Sequence, residues 1–402
     1  MSRVNRKPVR LAVVAQHPIH YHLPLYRAMA ADPDLDAEIP FMQSDWSESG
    51  FDPLVGTVVD WGASMFEGYP YRICRNISPL RNGEGFWKFI NPGLILRILA
   101  GPFDTVYIHG HNHFTHLMCL IAARLGGKKL VLRTIACNLG ERPLIKDILR
   151  TGIYRLLYTL PHVLLHIGRR NREYYLDFGV AESRLVHAPH IVDNDYFTSA
   201  AERLSGDTAA LKAEFGLNAD DHVILSPTKI RAVKQPLRLI DAFRRANLTE
   251  DWVLLMVGEG PMRAEAEAFA ARHRDVRIVF TGFLDQSRIP QAYAISDIIA
   301  LPSQMETWGL VVNEAFNFGC AAIVSDRVAC APDLVEGKGG LVVPWDDTDA
   351  LADAIRELAC DDALRHRFQA GARRTIATWN VDAYMAGLRE ALGLPPPGQS
   401  SP

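Results

Sequence analysis

Features that mark several protein classes are missing from this chain of 402 residues. No stretch approaches the roughly 18 consecutive apolar residues that identify a membrane-spanning helix. The six cysteines include no Cys-x-x-Cys pair, which argues against a disulfide framework or a structural zinc site and favours a reducing compartment. Lys and Arg (43) do not outnumber Asp and Glu (46), so no overall positive charge indicates a nucleic-acid partner. The segment Gly258-Glu259-Gly260 lacks the third glycine of a dinucleotide fingerprint, which argues against a nicotinamide-dependent enzyme.

Strand-like and helix-like patterns alternate along the chain, which predicts parallel sheets covered by helices on both faces. At roughly 100–200 residues per domain, the length favours two domains. We therefore predict an α/β fold with two doubly wound, Rossmann-like domains facing a cleft, joined through the polar, turn-rich segment Ser199–Asp221. The predicted strands are Val9–Ala15, Thr105–Ile108, Leu130–Leu132 and Val163–Ile167 in the first half, and His222–Ser226, Trp252–Val257, Arg277–Phe280, Ile298–Leu301 and Ala321–Ser325 in the second.

The most informative motif is the segment 302–315, which follows a predicted strand. A loop carries Glu306, a helix begins near Gly309, and Glu314 lies inside that helix. The first N–H groups of a helix have no partner within it, and the helix dipole favours an anion there. The segment therefore predicts a diphosphate site flanked by two carboxylates that accept hydrogen bonds from sugar hydroxyls. The alternative is a pair of unrelated glutamates, one in a loop and one on a helix surface.

Three cations follow the end of another predicted strand. Lys229, Arg231 and Lys234 lie between the strand His222–Ser226 and the next helical pattern. Because the carboxyl ends of parallel strands share one edge of a sheet, we expect these cations to face the same cleft as the helix start near Gly309. Lysine is a suitable point charge for phosphate oxygens, although cations in loops are often simply solvated.

Taken in order, these segments resemble the successive motifs of family 4 glycosyltransferases, which are retaining enzymes of the GT-B fold. The resemblance covers residues 222–345 and rests on Lys229…Lys234, Val257-Gly258-Glu259-Gly260-Pro261, Phe280-Thr281-Gly282-Phe283, Ser296-Asp297 and Pro302-Ser303…Glu306-x7-Glu314 with Gly319. It implies a donor-binding domain over residues 199–379 and an acceptor-binding domain over residues 1–198. A C-terminal helix at 380–395 is expected to cross back to the acceptor domain, and the tail 396–402 to be disordered.

The resemblance also implies a role for each matching residue. Glu306 would hold donor-sugar hydroxyls, Glu314 would hold the ribose hydroxyls, and Lys229 and Lys234 would neutralise the departing diphosphate. The remaining donor contacts are expected from Arg231, Gly258 and Thr307, from the backbone N–H groups of Trp308, Gly309 and Leu310, and from Gly282 and Phe283 beside the base. No carboxylate nucleophile is marked, so we expect front-face substitution with retention, in which a donor-phosphate oxygen takes the acceptor proton. No metal or other cofactor is expected.

The first half resembles the acceptor domain of the same family, with two departures. Phe103–Gly110 is similar to the strand-end histidine segment of these enzymes, so His109 is expected near the donor sugar as a catalytic residue. His17-Pro18 replaces the usual glycine pair after the first strand, and Arg133 stands where a second family histidine is expected. His17, His20 and Arg133 are therefore the acceptor-side candidates.

Three rival functions remain open. Four histidines within His109–His116 suggest a metallohydrolase, but no Asp- or Cys-bearing motif completes a coordination shell, so we favour a polar loop and expect no metal. A GT-B sugar-nucleotide epimerase or inverting transferase is disfavoured by the pair Glu306 and Glu314. A non-catalytic nucleotide-sugar binding protein is disfavoured by Lys229 and Lys234, because a pure binder needs no charge clamp for a transition state.

The expected function is sugar transfer from a nucleotide-sugar donor to a glycan or lipid-linked acceptor in bacterial polysaccharide or glycoconjugate biosynthesis. A UDP-sugar is the favoured donor and a GDP-sugar the alternative. The basic stretch Arg142–Arg172, with seven Lys or Arg residues, contains a predicted amphipathic helix over Pro143–Tyr158. We favour a helix packed on the core with a charged rim, and peripheral contact with an anionic membrane is the alternative. The segment Met1–Arg10 leads into an apolar run too short for a secretory signal, so we expect a cytoplasmic protein. If the membrane contact forms, we expect the protein at the inner face of the membrane.

Overall fold

The computed structural model describes residues 7–43, 50–52, 57–59, 63–140 and 144–396. These residues divide into two compact units. Unit 1 contains the described residues up to His190 except 51–52 and 57–59, and the segment from Val381 onward. Unit 2 contains Ile191–Asn380 together with residues 51–52 and 57–59. Within the described ranges, no helix combines the length and the apolar character that a membrane crossing requires.

Strands and helices alternate in both units, as predicted. The strands are β1 (Val9–Val14), β2 (Leu35–Phe41), β3 (Gly50–Asp52), β4 (Thr57–Val59), β5 (Tyr71–Ile73), β6 (Thr105–His109), β7 (Lys129–Arg133), β8 (Val163–His166), β9 (Leu185–His187), β10 (His222–Pro227), β11 (Trp252–Val257), β12 (Arg277–Gly282), β13 (Ile298–Leu301), β14 (Ala321–Ser325) and β15 (Gly340–Val343). The helices are α1 (Leu23–Ala31), α2 (Pro92–Ala100), α3 (Phe114–Leu125), α4 (Leu144–Leu157), α5 (Arg169–Asp177), α6 (Asn194–Leu204), α7 (Thr208–Glu214), α8 (Pro236–Ala246), α9 (Arg263–Ala270), α10 (Ile289–Ala294), α11 (Leu310–Phe318), α12 (Thr348–Cys360), α13 (Asp362–Ala377) and α14 (Val381–Leu392).

Each unit contains one doubly wound parallel sheet. The strand order is β5-β2-β1-β6-β7-β8-β9 in unit 1 and β12-β11-β10-β13-β14-β15 in unit 2. In both sheets the chain first builds outward in one direction and then returns to the other side of its starting strand. The carboxyl ends of β1 and β6, and those of β10 and β13, therefore flank topological switch points, where open α/β sheets bind ligands. The two Rossmann-like sheets predicted from the sequence are confirmed.

The central strands are almost entirely apolar because helices cover both faces of each sheet. All six residues of β11 are buried, and all five of β14 are buried as well. Between the strands, α8 begins with Pro236 in its first turn, where the missing N–H costs nothing. It buries Leu239, Ile240 and Phe243 in the core of unit 2. This packing places the loop before α8 at the carboxyl edge of the sheet.

The predicted turn-rich linker over Ser199–Asp221 was wrong, because helices α6 and α7 occupy most of it. The side chain of Asp193 accepts a hydrogen bond from the backbone N–H of Tyr196 at 3.0 Å and caps the start of α6. Phe197 and Ala200 are buried in α6, which packs on α10 and α11. The polar residues that suggested turns lie on the exposed face of an amphipathic helix.

Helix α14 belongs to unit 1 although unit 2 precedes it in the chain. It packs on α1, β8 and β9. The buried guanidinium of Arg389 binds the carboxylates of Asp32 and Asp34 at 2.5 and 2.6 Å. Gly387 lies against the carbonyl of His187, where a Cβ would collide. Of the predicted disordered tail, residues 397–402 lie outside the described residues.

The core-packed interpretation of the basic helix holds for only one face of α4. Leu157 is buried and Tyr154 packs against the core of unit 1. By contrast, the exposed fractions are 64% for Ile148, 66% for Leu149, 55% for Ile153 and 73% for Leu156. The sequence suggested a charged rim on this side, and the structure has an exposed apolar face instead. Arg142 and Pro143 of this segment lie outside the described residues.

Candidate functional site

In unit 2, the loop that carries Glu306 is held at the switch point by backbone hydrogen bonds. The N–H of Glu306 donates to the carbonyl of Arg327 at 3.0 Å, and its own carbonyl accepts from the N–H of Ala329 at 3.0 Å. The N–H of Gln304 donates to the carbonyl of Val233 at 2.8 Å, which ties the loop after β13 to the loop after β10. The backbone therefore fixes the position from which the Glu306 carboxylate projects.

The carboxylate of Glu306 forms an ion pair with the ammonium group of Lys234. Both side chains are only 19% exposed. Lys234 ends a 3-10 turn at Ala232–Lys234, just before α8, so the pair joins the ends of β10 and β13. The sequence indicated both residues, and the structure adds that they are direct partners.

Gly309 begins the helix α11 from a left-handed conformation with φ of +102°. A Cβ at this position would lie 3.1 Å from Cγ1 of Val328 and 3.2 Å from Cδ2 of Leu301, and the positive φ strains any residue with a side chain, so this position favours glycine. The indole N–H of Trp308 donates to Oδ1 of Asn313 at 2.9 Å, so the polar atom of the buried Trp308 side chain already has a partner within the protein. The N–H groups of the first helical turn, which begins at Leu310, therefore lie at the same edge as Lys234.

Glu314 lies half-buried in α11 and accepts a hydrogen bond from the hydroxyl of Tyr293 in α10 at 2.5 Å. Burial raises the pKa of this carboxyl to about 7, and the hydrogen bond from Tyr293 acts in the opposite direction. Such a carboxyl changes its charge near neutral pH. Tyr293 and Asn313 were not predicted, because nothing in their sequence context distinguishes a partner of a functional residue from an ordinary helix residue.

The other predicted donor-side residues lie on neighbouring loops of the same edge. Gly258 N–H donates to the carbonyl of Gly282 at 2.8 Å, and Ile230 N–H donates to the carbonyl of Glu259 at 2.8 Å, so the ends of β10, β11 and β12 are joined. Lys229 and Phe283 are half-buried, and Arg231 and Thr307 are exposed. The structure therefore brings the predicted donor-side set to one edge of unit 2.

In unit 1, the switch point between β1 and β6 is lined by histidines. The rings of His22, in the turn after β1, and His109, the last residue of β6, have centroids 4.9 Å apart. His17 and His20 lie in the same turn and are half-buried. Burial lowers the pKa of both His17 and His20 to about 4, so they are neutral at pH 7.

Arg133 ends β7 and is buried beside a histidine that was not among the predicted site residues. Its Nη2 lies 3.1 Å from Nδ1 of His190, and its guanidinium lies over the ring of Tyr384 at 5.5 Å. Burial is the main cause that lowers the pKa of His22, His109 and His190, and the charge of Arg133 adds to it. His190 follows the last strand of the sheet, a position that the strand pattern alone could have indicated.

The histidines of the segment His109–His116 do not converge on one point, although the rings of His113 and His116 stack with centroids 5.5 Å apart. His111 packs edge-on against Tyr154 with ring centroids 5.0 Å apart. His113 forms a hydrogen bond of 2.9 Å with the carbonyl of Gly85. In the described part of the chain, no three His, Cys, Asp or Glu side chains are grouped as metal ligands. The tight spacing in sequence therefore does not produce a shared centre in space.

Comparison with known proteins identifies the family of this chain. The family model described as "Glycosyl transferases group 1" matches residues 207–375. A phosphatidyl-myo-inositol mannosyltransferase of Mycobacterium tuberculosis is 32% identical over 305 residues, which are 70% of this chain and 72% of that protein. The chain belongs to the group 1 glycosyltransferase family.

One further relative and one solved structure are also similar to this chain. The N-acetyl-alpha-D-glucosaminyl L-malate synthase of Bacillus anthracis is 24% identical over 283 residues, which are 67% of this chain and 69% of that enzyme. The structure of Anabaena HepE in complex with UDP has a TM-score of 0.70 and 16% identity, covering 96% of this glycosyltransferase and 99% of HepE. This likeness confirms the GT-B fold that the sequence predicted.

Proposed function

We propose that this glycosyltransferase is a retaining, family 4-like hexosyltransferase. Its donor is a nucleotide sugar, with UDP favoured over GDP, and its acceptor is a glycan or lipid-linked molecule of bacterial polysaccharide or glycoconjugate biosynthesis. The observation that carries the proposal is the ion pair between Lys234 and Glu306 at the switch point of unit 2, beside the start of α11. A cation, a carboxylate and a helix N-terminus together suit the diphosphate and the sugar of one donor.

In this proposal, the donor replaces the ion pair between Lys234 and Glu306 with its own contacts to both residues. A diphosphate placed at the start of α11 receives the N–H groups of that helix and the charges of Lys229 and Lys234. When Lys234 turns to the phosphate, the carboxylate of Glu306 is released to accept hydrogen bonds from the sugar hydroxyls. Glu314 accepts from the ribose hydroxyls in its ionised form. Unit 2 is therefore the donor-binding half.

The proposed reaction needs no covalent enzyme intermediate. The bond between the sugar's anomeric carbon and the diphosphate oxygen breaks, and the acceptor oxygen bonds to the same face of that carbon. The acceptor proton moves to an oxygen of the departing phosphate, and the cations neutralise the charge that develops there. His109 is neutral in the folded protein, so we assign it a hydrogen bond to the donor sugar rather than a charge contact. We propose that no metal is required, since Lys229 and Lys234 supply the positive charge.

The names of the relatives support the acceptor and donor classes. The mycobacterial relative is named for mannose transfer to phosphatidyl-myo-inositol, which is a lipid. The HepE structure holds UDP. These facts belong to those proteins, and they favour a lipid-linked acceptor and a UDP-sugar donor as the first combinations to test here.

The proposal is tested by calorimetric titration of UDP, GDP and their hexose conjugates, with and without EDTA, followed by donor turnover. Glu306→Ala should abolish transfer and leave nucleotide affinity unchanged or tighter, because Lys234 loses its competing partner. Glu265→Ala, at an exposed position of α9, is the matched control and should behave as the wild type. Wild-type turnover in Glu306→Ala, or EDTA-sensitive nucleotide binding, would contradict the proposal.

We also propose that α4 makes a peripheral contact with an anionic membrane, which would suit a lipid-linked acceptor. Its exposed apolar face, defined by Ile148, Leu149, Ile153 and Leu156, adjoins the exposed Arg155. We therefore place the protein at the inner face of the cytoplasmic membrane.

The membrane contact predicts sedimentation with phosphatidylglycerol vesicles and not with phosphatidylcholine vesicles. The double variant Leu149→Glu/Leu156→Glu should lose this binding. Leu125→Glu is the control, because Leu125 is 77% exposed on α3 and lies outside the apolar face. Equal sedimentation of all three proteins would exclude α4 as the contact.

A further inference from the structure

Arg133 is a buried cation whose charge is not balanced by the described residues of unit 1. Its side chain is 3% exposed, and its Nε has no hydrogen-bond partner. Arginine keeps its proton in proteins, so burial leaves a full charge that has lost its water. Five other arginines of unit 1 have carboxylate partners within 3.0 Å: Arg10, Arg72, Arg97, Arg172 and Arg389. Among the described residues, no such ion pair includes Arg133.

The groups that surround Arg133 are neutral hydrogen-bonding side chains. We call Arg133, His22, His109 and His190 the Arg133 cluster. His190 accepts a hydrogen bond from the Nη2 of Arg133 at its Nδ1, which leaves its Nε2 to carry the ring proton. The Nε2 of His109 is buried and has no hydrogen-bond partner. The cluster therefore has a net positive charge, and among the described residues neither the Nε of Arg133 nor the Nε2 of His109 has a hydrogen-bond partner.

Four separate chain segments bring this cluster together at the ligand-binding edge of the sheet. His22 follows β1, His109 ends β6, Arg133 ends β7 and His190 follows β9. The convergence includes the switch point between β1 and β6, where His17 and His20 remain partly exposed. Arg133 itself is buried, so a ligand would approach its guanidinium from this edge, past the half-buried His17 and His20.

We propose that the Arg133 cluster binds an oxyanion of the acceptor, a carboxylate or a phosphate. This inference rests on the proposed function, in which unit 1 binds the acceptor, and it narrows the acceptor to molecules that carry a negative charge. The guanidinium presents Nε–H beside its Nη groups as a planar fork, which matches two oxygens of a carboxylate or phosphate.

The competing explanation is structural: Arg133 would only anchor α14 through the ring of Tyr384. That explanation predicts that a substitution of Arg133 changes thermal stability but leaves anion affinity unaltered. The proposal predicts that anion affinity depends on the guanidinium itself. Arg133→Lys separates the two explanations, because lysine keeps the buried charge and loses the planar fork.

The test is calorimetric titration of the full chain with inorganic phosphate and, separately, with succinate, at constant ionic strength. Saturating UDP or GDP first occupies the donor site, so that phosphate cannot bind there. We expect saturable binding by the wild type, a loss of about tenfold to a hundredfold in Arg133→Gln, and a smaller loss in Arg133→Lys. Arg150→Gln is the matched control, because Arg150 also lies over aromatic rings of unit 1, at 5.1 Å from that of Tyr154.

The outcomes separate this inference from the proposed function. No saturable binding of either anion by the wild type, equal affinity in Arg133→Gln and the wild type, or an equal loss in Arg150→Gln would overturn it. If Arg133→Gln does not fold, the anion affinity of Arg133→Lys is compared with that of the wild type, and equal affinities overturn the inference. If neither UDP nor GDP binds, the donor proposal fails. The phosphate titration is then repeated in the Lys234→Ala variant, and a loss of phosphate affinity on substitution of Arg133 still supports the inference about the Arg133 cluster. Preference for phosphate or succinate then identifies the oxyanion.

Discussion

The hydrogen bond between Tyr293 and Glu314 controls the charge of a carboxyl that we assign to the ribose. The two oxygen atoms are 2.5 Å apart, and burial raises the pKa of Glu314 to about 7. At pH 7 about half of the molecules therefore carry the ionised carboxylate. Tyr293→Phe removes the donor that favours the ionised form and leaves the ring in place, so the pKa of Glu314 should rise further.

The size of the effect follows from the value of one hydrogen bond. A loss of about 1.4 kcal/mol from the ionised form corresponds to about one pKa unit, which would bring Glu314 to about 8. The ionised fraction at pH 7 then falls from about half to about one tenth. If ribose binding needs the carboxylate, nucleotide affinity should fall about fivefold at pH 7. At pH 9 both proteins are almost fully ionised, so the difference should disappear.

The assay is calorimetric titration of UDP, or of GDP if that is the nucleotide bound, at pH values from 6 to 9. Tyr158→Phe is the control, because it removes a buried tyrosine hydroxyl in unit 1, at 3.4 Å from that of Tyr174. Its affinity should follow the wild type at every pH. A ratio between Tyr293→Phe and the wild type that stays the same from pH 6 to 9 would refute the reasoning, as would identical curves.

Three further substitutions have defined outcomes. Lys234→Ala removes a cation from the diphosphate site, so turnover should fall roughly 10²–10³-fold and calorimetry should show weaker UDP binding; unchanged values would refute the site. Arg389→Ala leaves the 9% exposed Asp32 without its partner and should cost about 3–5 kcal/mol of stability, measured as a lower urea midpoint; an unchanged midpoint would show that the pair does not stabilise the fold. Gly258→Ala, at φ of +138°, drives a Cβ into the carbonyl of Thr228; we expect a lower thermal midpoint and weaker UDP binding, and wild-type values would show that the loop adapts.

Much of the fold could be predicted because central parallel strands are buried on both faces. The bounds predicted for β11, β13 and β14 agree with the structure. Strand β2 escaped prediction because Asp36 and Glu38 interrupt its apolar pattern. In the folded protein Glu38 binds Arg97 of α2 at 2.6 Å, so its charge is compensated by a residue far away in the chain. Local hydrophobicity cannot report such a partner.

The sequence by itself determined the elements of the donor edge of unit 2. Strand ends, helix starts and glycines that permit positive φ are local properties, so Glu306, Gly309 and Glu314 could be assigned to their places before any contact was known. The alternation of strands and helices likewise determined that two parallel sheets would form.

Only the tertiary structure decided which charges meet. Lys234 and Glu306 are partners because β10 and β13 are neighbours in the sheet, although 72 positions separate them. Of the histidines in 109–116, His113 and His116 stack on each other, whereas His111 packs against Tyr154, because a strand end, a loop and a helix direct these side chains differently. Arg133 became informative only when its surroundings were known, since the cost of a buried charge depends on the partners that the fold supplies.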